Sequence, residues 1–171
     1  MLIKNIAIVE YQPQKHNPAI FAALENEPQE RIIQRYRSVI APRTIVEALL
    51  RKPTQVLIVW DAAQKKVAGW GELHYRNIQL YEKCLFITNP FAHQGLGTLL
   101  GVNLINFAHT QYSSDTCAYA GLDNVFSIRT NNRLSSYFSH QISDHETATG
   151  TPYRQYIYLR PGSLGWTTNP E

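Results

Sequence analysis

The residues best suited to chemistry in this sequence are two glycines, Gly95 and Gly97, which stand between a strand-like run and a helical pattern. Residues 85–87 form a short apolar run, and from Thr98 onward the apolar residues recur at helical spacing. The first N–H groups of a helix have no intrahelical partner and lie at the positive end of the helix dipole. Because glycine leaves such amides accessible, this pattern favours the binding of a phosphate or pyrophosphate.

Two common nucleotide-binding motifs do not fit the spacing of these glycines. A dinucleotide fingerprint needs a third glycine at position 100, where this chain has Leu100. A P-loop needs a lysine directly after the second glycine, and Thr98 occupies that position. The pattern alone therefore leaves open whether the loop binds phosphate or only begins a helix.

The loop resembles the acyl-CoA loop of the GNAT superfamily of N-acetyltransferases, which reads Arg/Gln-x-x-Gly-x-Gly/Ala after a strand and opens a long helix. The matching residues here are 92–97, with the sequence AHQGLG. Ala92 departs from the pattern, because the family usually has Arg or Gln there. The family binds the phosphates mostly through main-chain N–H groups, so an alanine at this position weakens the match without abolishing the chemistry.

The resemblance implies acetyl-CoA as acyl donor and assigns residues to its binding. Main-chain groups of Ile87 and Asn89, at the end of the fourth strand, are expected to hold the pantetheine and the thioester carbonyl. His93, also in the loop, is expected to contact phosphate or solvent. The residues expected at the pyrophosphate are Gln94, Gly95, Leu96, Gly97 and Thr98.

The composition indicates one globular domain spanning residues 1–171. Of the 171 residues, 44% are hydrophobic and 17% are charged, which is typical of a chain that buries a core. The beginning of the chain does not resemble a signal peptide and no apolar run could span a bilayer, so we expect a cytoplasmic protein without a membrane partner. Cys84 and Cys117 fit no metal-ligand spacing, and no metal site is predicted.

The order of predicted elements extends the resemblance over residues 3–160. The last predicted strand is followed by a segment at 161–171 that we expect to be loosely ordered, with docking of Trp166 as the alternative for that residue. Helices are expected from Pro18 to near Pro28, over the region before Pro42, at 45–51, from Thr98 and at 131–140, and strands at 4–12, 54–61, 67–76, 81–88, 116–122 and 153–159.

The implied fold is α+β, in the sense of mixed α/β. It has a central, mostly antiparallel twisted sheet of six or seven strands, flanked by about four helices. The resemblance further implies that the fourth and fifth strands splay apart, which leaves main-chain groups free to bind the acyl donor.

Two residues near the predicted last helix take roles from the family. The segment 131–137, NNRLSSY, resembles the family's Asn-x-x-Ser/Ala…Tyr segment, although its Asn-to-Tyr interval is one residue short unless Phe138 takes the Tyr position. Tyr137 is then the implied general acid toward the CoA sulfur, and Asn131 a partner of the pantetheine or the local backbone. The alternatives are a tyrosine packed on the helix and an asparagine that caps it.

The general base is predicted on the third strand. Glu72 and His74 share one face of that strand by its two-residue period, and either could take the proton of an amine. Glu82 on the fourth strand is a rival, but it points away from the face of Ile87 unless a bulge intervenes. A solvated charge at the edge of the sheet is the alternative for each of them.

The predicted function is transfer of an acetyl group from acetyl-CoA to a primary amine, directly within a ternary complex. The partners are then an acyl-CoA and an amine acceptor, and a homodimer is left open. One alternative is a non-catalytic GNAT-fold module that binds acyl-CoA. Another is nucleic-acid binding through the basic segment 31–52, against which the net charge of only +3 argues.

Overall fold

The computed structural model describes residues 5–167, which form a single seven-stranded sheet with five α-helices around it. A turn of 3₁₀ helix, Asn89–Phe91, joins the fourth strand to the fourth helix. The elements in chain order are β1 Ile6–Glu10, α1 Pro13–Glu25, α2 Gln29–Tyr36, α3 Pro42–Arg51, β2 Gln55–Asp61, β3 Lys66–Asn77, β4 Leu80–Ile87, α4 Leu96–Gln111, β5 Asp115–Gly121, α5 Val125–Ser135, β6 His140–Glu146 and β7 Pro152–Tyr158.

The sheet has the strand order β1-β2-β3-β4-β5-β7-β6, and every neighbouring pair is antiparallel except β4 and β5. The parallel pairing of β4 with β5 extends only from Leu80–Asp115 to Glu82–Cys117. Beyond Glu82 both strands continue, β4 to Ile87 and β5 to Gly121, without pairing to each other. The predicted mixed α/β fold with a mostly antiparallel, splayed sheet is therefore confirmed.

The two faces of the sheet are covered by different helices. Side chains alternate along β2, so that Ile58 and Trp60 pack on α1, α2 and α3, while Leu57 and Val59 pack on α4. Helix α5 covers β5 and β7, with Leu134 fully buried between them and α4. No helix within the described residues is both long and apolar enough to cross a membrane.

Helix α1 begins at Pro13, so the predicted helix start at Pro18 is wrong. Pro13 occupies the first position of the helix, where a missing N–H removes no intrahelical hydrogen bond. Pro18 lies inside the helix, and His16 and Ile20 on the same segment are fully buried.

Helix α5 also begins earlier than the predicted 131–140. The side chain of Asn124 caps it by accepting a hydrogen bond from the N–H of Ser127 at 3.1 Å. Asn131 therefore lies inside the helix rather than at its cap, and the helix ends at Ser135, before Tyr137.

Strand β6 was not predicted, because its sequence has no alternating apolar pattern. It lies at one edge of the sheet, and within residues 5–167 it pairs with β7 alone; all of its residues except His145 are exposed. Residues 5–167 thus contain seven strands and five α-helices, against the expected six or seven strands and about four helices.

Within the segment that follows the last strand, Ser163 and Trp166 contact the carboxylate of Asp115 at the start of β5. The Ser163 hydroxyl and the Trp166 indole N–H donate to its Oδ2 at 2.7 and 2.9 Å. The N–H of Arg160 donates to its Oδ1 at 2.7 Å. The rest of that predicted tail, residues 168–171, lies outside the described residues.

Candidate active site

A cleft of about 530 Å³ opens where β4 and β5 part. Its floor is formed by residues 82–87 of β4 and 118–121 of β5. Its walls come from α2, from the turn before α4 and from one side of α5. This volume lies within the range of small-molecule and cofactor sites.

The turn before α4 presents unpaired amides to this cleft. Gly95 precedes the helix with φ of 81°, a left-handed conformation that favours glycine, and a Cβ placed there would meet nothing within 4 Å. The first main-chain bond of the helix runs from the N–H of Leu99 to the carbonyl of Gly95 at 3.1 Å, and no side chain caps the helix. The N–H groups of residues 96–98 therefore remain available to an anion.

The side chains in this turn offer a ligand fewer groups than its main chain does. Leu96 is buried in the core beneath α4, and the Gln94 side chain is exposed and turns back to the carbonyl of Pro90 at 3.3 Å. The side chain of Thr98 lines the cleft. His93 also lines it, with its ring centroid 4.9 Å from that of Phe126 on α5.

Helix α5 supplies two cations that the sequence analysis missed. Arg129 and Arg133, four residues apart, both line the cleft, and within residues 5–167 neither guanidinium makes an ion pair or donates a hydrogen bond. Their spacing could have revealed them, but only once the start of α5 had been placed at Val125. Arginine side chains and free main-chain amides are both groups that can hold phosphates.

The main-chain groups at the end of β4 have protein partners that the sequence did not predict. The guanidinium of Arg31 donates to the carbonyl of Ile87, and the carboxylate of Glu27 accepts the N–H of Asn89 at 2.9 Å. Glu27 and Arg31 also form an ion pair with each other. Because the buried Glu27 already holds the N–H of Asn89, that main-chain donor is not free to bind pantetheine, and the Ile87 carbonyl is shared with Arg31.

On the α5 side of the cleft, Lys83 and Asn131 form a buried polar pair. The Lys83 ammonium donates to Oδ1 of Asn131 at 3.2 Å, and the Tyr158 hydroxyl donates to the same oxygen at 2.8 Å. Both Lys83 and Asn131 are 4% exposed, and both line the cleft. Burial lowers the pKa of Lys83 to about 8.

Solved structures of acetyltransferases share this architecture. A spermidine N-acetyltransferase from Vibrio cholerae, in complex with CoA and spermine, has a TM-score of 0.71 at 12% identity, over 92% of this chain and 96% of that one. A GNAT-family acetyltransferase from Bacillus anthracis has a TM-score of 0.71 at 10% identity, over 94% and 97%. A ribosomal L7/L12 alpha-N-protein acetyltransferase in complex with coenzyme A has a TM-score of 0.71 at 11% identity, over 95% and 98%. At the level of sequence, no family model and no curated protein matches the chain.

The chain has the GNAT fold. At such low sequence identities the likeness establishes the fold alone, so the chemistry has to be argued from the side chains of this site. Within residues 5–167, no three His, Cys, Asp or Glu side chains are placed together to hold a metal ion.

In this GNAT fold, the predicted acid Tyr137 does not reach the cleft. It follows the end of α5 in a turn, where its N–H donates to the carbonyl of Leu134 at 3.0 Å. Leu134 and Phe138 take the inward positions, which leaves the Tyr137 side chain 65% exposed and outside the lining of the cleft. This placement contradicts a role as proton donor to the CoA sulfur.

The predicted bases Glu72 and His74 do share a face of β3, but neither lines the cleft. The Glu72 carboxylate accepts a hydrogen bond from Arg35 of α2 at 2.9 Å and lies 3.2 Å from Nε2 of His74. Glu72 is only 6% exposed. Since Glu72 lies beneath α2 and outside the cleft, it is not positioned to meet a substrate amine there, and its contacts link α2 to the sheet.

Glu82, the rival base, does line the cleft. It points to the α2 face of β4, as the strand parity required, and its carboxylate pairs with Arg76 of β3. A second, open cavity of about 1030 Å³ lies on this face and shares Arg37, Tyr119 and Gly121 with the first. The parted strands thus leave one site accessible from both faces of the sheet.

Proposed function

We propose that this chain is an N-acetyltransferase that moves an acetyl group from acetyl-CoA to a primary amine, with both substrates bound at once. The observation that carries this proposal is the parting of β4 and β5 directly beside the amide-lined turn at Gly95. A thioester chain that lies between the strands would place its pyrophosphate on the first turn of α4.

The charges around the cleft support this acyl donor. Coenzyme A carries several phosphate charges, and the unpaired Arg129 and Arg133 stand on α5 beside the amides of residues 96–98. Two of the similar structures named above hold CoA. The fit of an anionic, elongated donor to this cleft therefore rests on residues of this chain and agrees with its fold.

The acceptor amine is proposed to enter from the α2 face, where Glu82 lies. The Glu82 carboxylate takes a proton from the incoming ammonium, and the neutral nitrogen then attacks the thioester carbon. The new C–N bond forms, the C–S bond breaks, and the sulfur leaves with the electron pair. The bound position of the amine against the thioester supplies the effective concentration that this step needs.

The raised thiol pKa of the cysteine in the cleft favours direct transfer over a covalent acyl-enzyme. Cys84 lines the cleft, but burial raises the pKa of its thiol to about 11. A thiol with a raised pKa is a poor nucleophile at neutral pH, because only the thiolate attacks. No acyl carrier on the protein is therefore invoked.

Ligand-dependent thermal unfolding tests the donor assignment. Acetyl-CoA or CoA at about 100 times its dissociation constant should add about 2.7 kcal/mol to the free energy of unfolding, and NAD should add none. A protein that binds both CoA species is then mixed with acetyl-CoA and a panel of primary amines, and release of the free thiol is measured. A melting temperature unchanged by either CoA species would contradict the proposal.

The second candidate is a non-catalytic module that binds acyl-CoA, and the position of Tyr137 outside the cleft favours it. The same two measurements separate the candidates. Binding of CoA without amine-dependent thiol release from any member of the panel would support the module and contradict the enzyme.

A further inference from the structure

Lys83 is a buried cation that lines the cleft and that the proposed chemistry has not yet used. It is the residue of β4 directly after the last pair with β5, Glu82–Cys117, so it stands at the point where the strands part. Its side chain extends to the α5 face, where it meets Asn131, whereas Glu82 extends to the α2 face. Neighbouring residues of one strand thus place a carboxylate and an ammonium on opposite sides of the same opening.

The ammonium of Lys83 is only partly satisfied by the protein. It donates to Oδ1 of Asn131 and lies 5.9 Å from the centroid of the Tyr158 ring, and within residues 5–167 no carboxylate is in ion-pair range. Asn131 is itself fixed, because its amide donates to the carbonyl of Ser127 at 3.0 Å. A buried ammonium has three donors and is costly to leave unpaired, so an anionic group bound in the cleft would find a hydrogen-bond donor here.

We propose that Lys83 donates the proton that the departing CoA thiolate takes up. This role rests on the proposed function. As the C–S bond breaks, the electron pair stays on sulfur, and the Lys83 ammonium transfers one proton to it to give the free thiol. The acceptor nitrogen loses two protons, one from the ammonium before attack and one from the tetrahedral adduct, and both pass through Glu82 to solvent. The neutral Lys83 amine takes one proton back from solvent, so one turnover of an ammonium substrate releases one proton in all.

Other acidic groups are less well placed for this step. Tyr137 lies outside the cleft, and the hydroxyl of Tyr119 lies on the α2 face, since Ala118 and Ala120 occupy the α5 side of β5. Burial raises the pKa of Tyr119 above its ordinary value. The lowered pKa of Lys83, about 8, is by contrast close to the reference pKa of a thiol, about 8.5, and still leaves the amine mostly protonated at neutral pH.

The first test needs no acceptor: the pKa of the thiol of bound CoA, followed by its ultraviolet thiolate absorbance. In the wild-type complex this pKa should lie below that of free CoA, because the adjacent ammonium favours the thiolate. Lys83→Met should raise it by about one unit or more, whereas Tyr137→Phe should not change it. Equal thiol pKa values in wild type and Lys83→Met would overturn the proposal, as would a rise confined to Tyr119→Phe.

The second test separates proton transfer from charge stabilisation. Lys83→Met should lower kcat about 100-fold or more, with KM for acetyl-CoA changed only a few-fold. Lys83→Arg should keep the lowered thiol pKa but not restore kcat, because a guanidinium does not give up its proton. Wild-type kcat in Lys83→Met would overturn the proposal, and so would an acetylated Lys83 in the mass spectrum after incubation with acetyl-CoA.

A failure of the proposed function would look different from either result. If the wild-type protein did not bind CoA at all, none of the variants would show a thiolate titration in a complex. If the complex forms but the thiol pKa is the same in wild type and in Lys83→Met, the result would reject the role of Lys83 alone. The assignment of CoA as the acyl donor would stand.

Discussion

The charged side chains on the two faces of the sheet, beside the open end of β4, have different kinds of partner. On the α2 face, Arg35 pairs with Glu72 and Arg76 pairs with Glu82. On the α5 face, Lys83 has a neutral amide and an aromatic ring as partners, and within residues 5–167 neither Lys83 nor the two arginines of α5 make an ion pair.

This difference distinguishes charges that stabilise the fold from charges that are available to bind a ligand. A matched buried pair contributes to the position of α2, and its removal should appear in stability. An unmatched cation at a cleft should appear in the binding or turnover of an anionic substrate. The comparison therefore predicts which assay each substitution affects, and in what order of size.

The largest effect on stability is expected from Glu72→Gln. It leaves the Arg35 guanidinium without its carboxylate beneath α2, and breaking such a pair should cost about 3 kcal/mol. Chemical denaturation measures the change. The matched control is Glu47→Gln in the exposed pair of Arg43 with Glu47, for which less than about 0.5 kcal/mol is expected. Equal losses in the two variants would contradict the scaffold role.

A loss of turnover without loss of stability is expected from Glu82→Gln. If Glu82 takes the proton of the amine, kcat should fall about 100-fold at neutral pH, which corresponds to about 2.7 kcal/mol in the barrier. The dissociation constant of CoA should stay within a few-fold of wild type, because the carboxylate lies on the acceptor side. Glu72→Gln, compared at a temperature where it remains folded, should keep its kcat. A base role for Glu72 instead would reverse these two results.

The fold and the phosphate turn could be predicted because their signals are local. Strand, glycine turn and helix lie within one short segment, and the order of elements follows from periodicity along the chain. The two-residue period of β4 also places Lys83 on the same face as Ile87. It could not show that this face opens at residue 83, because the end of the β4–β5 pairing depends on two distant segments.

The catalytic side chains were harder to predict because their positions depend on helix starts and long-range contacts. The sequence predicts that the helix begins at Asn131 and includes Tyr137. In the structure the helix is capped by Asn124 and ends before Tyr137. The contacts of Glu27 and Arg31 with the end of β4 join residues about sixty positions apart, and no local pattern announces them. Strand β6 has too few apolar residues for any periodicity to reveal it.

The stability of Lys83→Met should depend on pH in a direction fixed by the lowered pKa of Lys83. The folded pKa of about 8 lies below the unfolded value of about 10.4, so the unfolded chain binds more protons between them and wild-type stability rises with pH over that range. Below pH 8 the buried charge costs about 3 kcal/mol, the free-energy equivalent of the difference between the two pKa values, and the variant avoids this cost. Its advantage in thermal unfolding should therefore be full at pH 7 and disappear near pH 10. An advantage that does not vary with pH would show that Lys83 is not desolvated in the folded state.

The smallest of these effects is expected from Arg129 and Arg133, which are exposed on α5. Arg129→Gln and Arg133→Gln should each weaken CoA binding about 10-fold at low salt, or about 1.4 kcal/mol, and the stability of the protein without ligand should not change. The loss should shrink as ionic strength rises, because exposed charges are screened over about 10 Å at 0.1 M salt. Isothermal titration at two salt concentrations measures both quantities, with Arg43→Gln, on α3 and away from the cleft, as the control for net charge. If Arg43→Gln weakened binding as much as the two α5 variants, the attraction would come from the charge of the whole protein, and the contrast between the two faces would not explain donor binding.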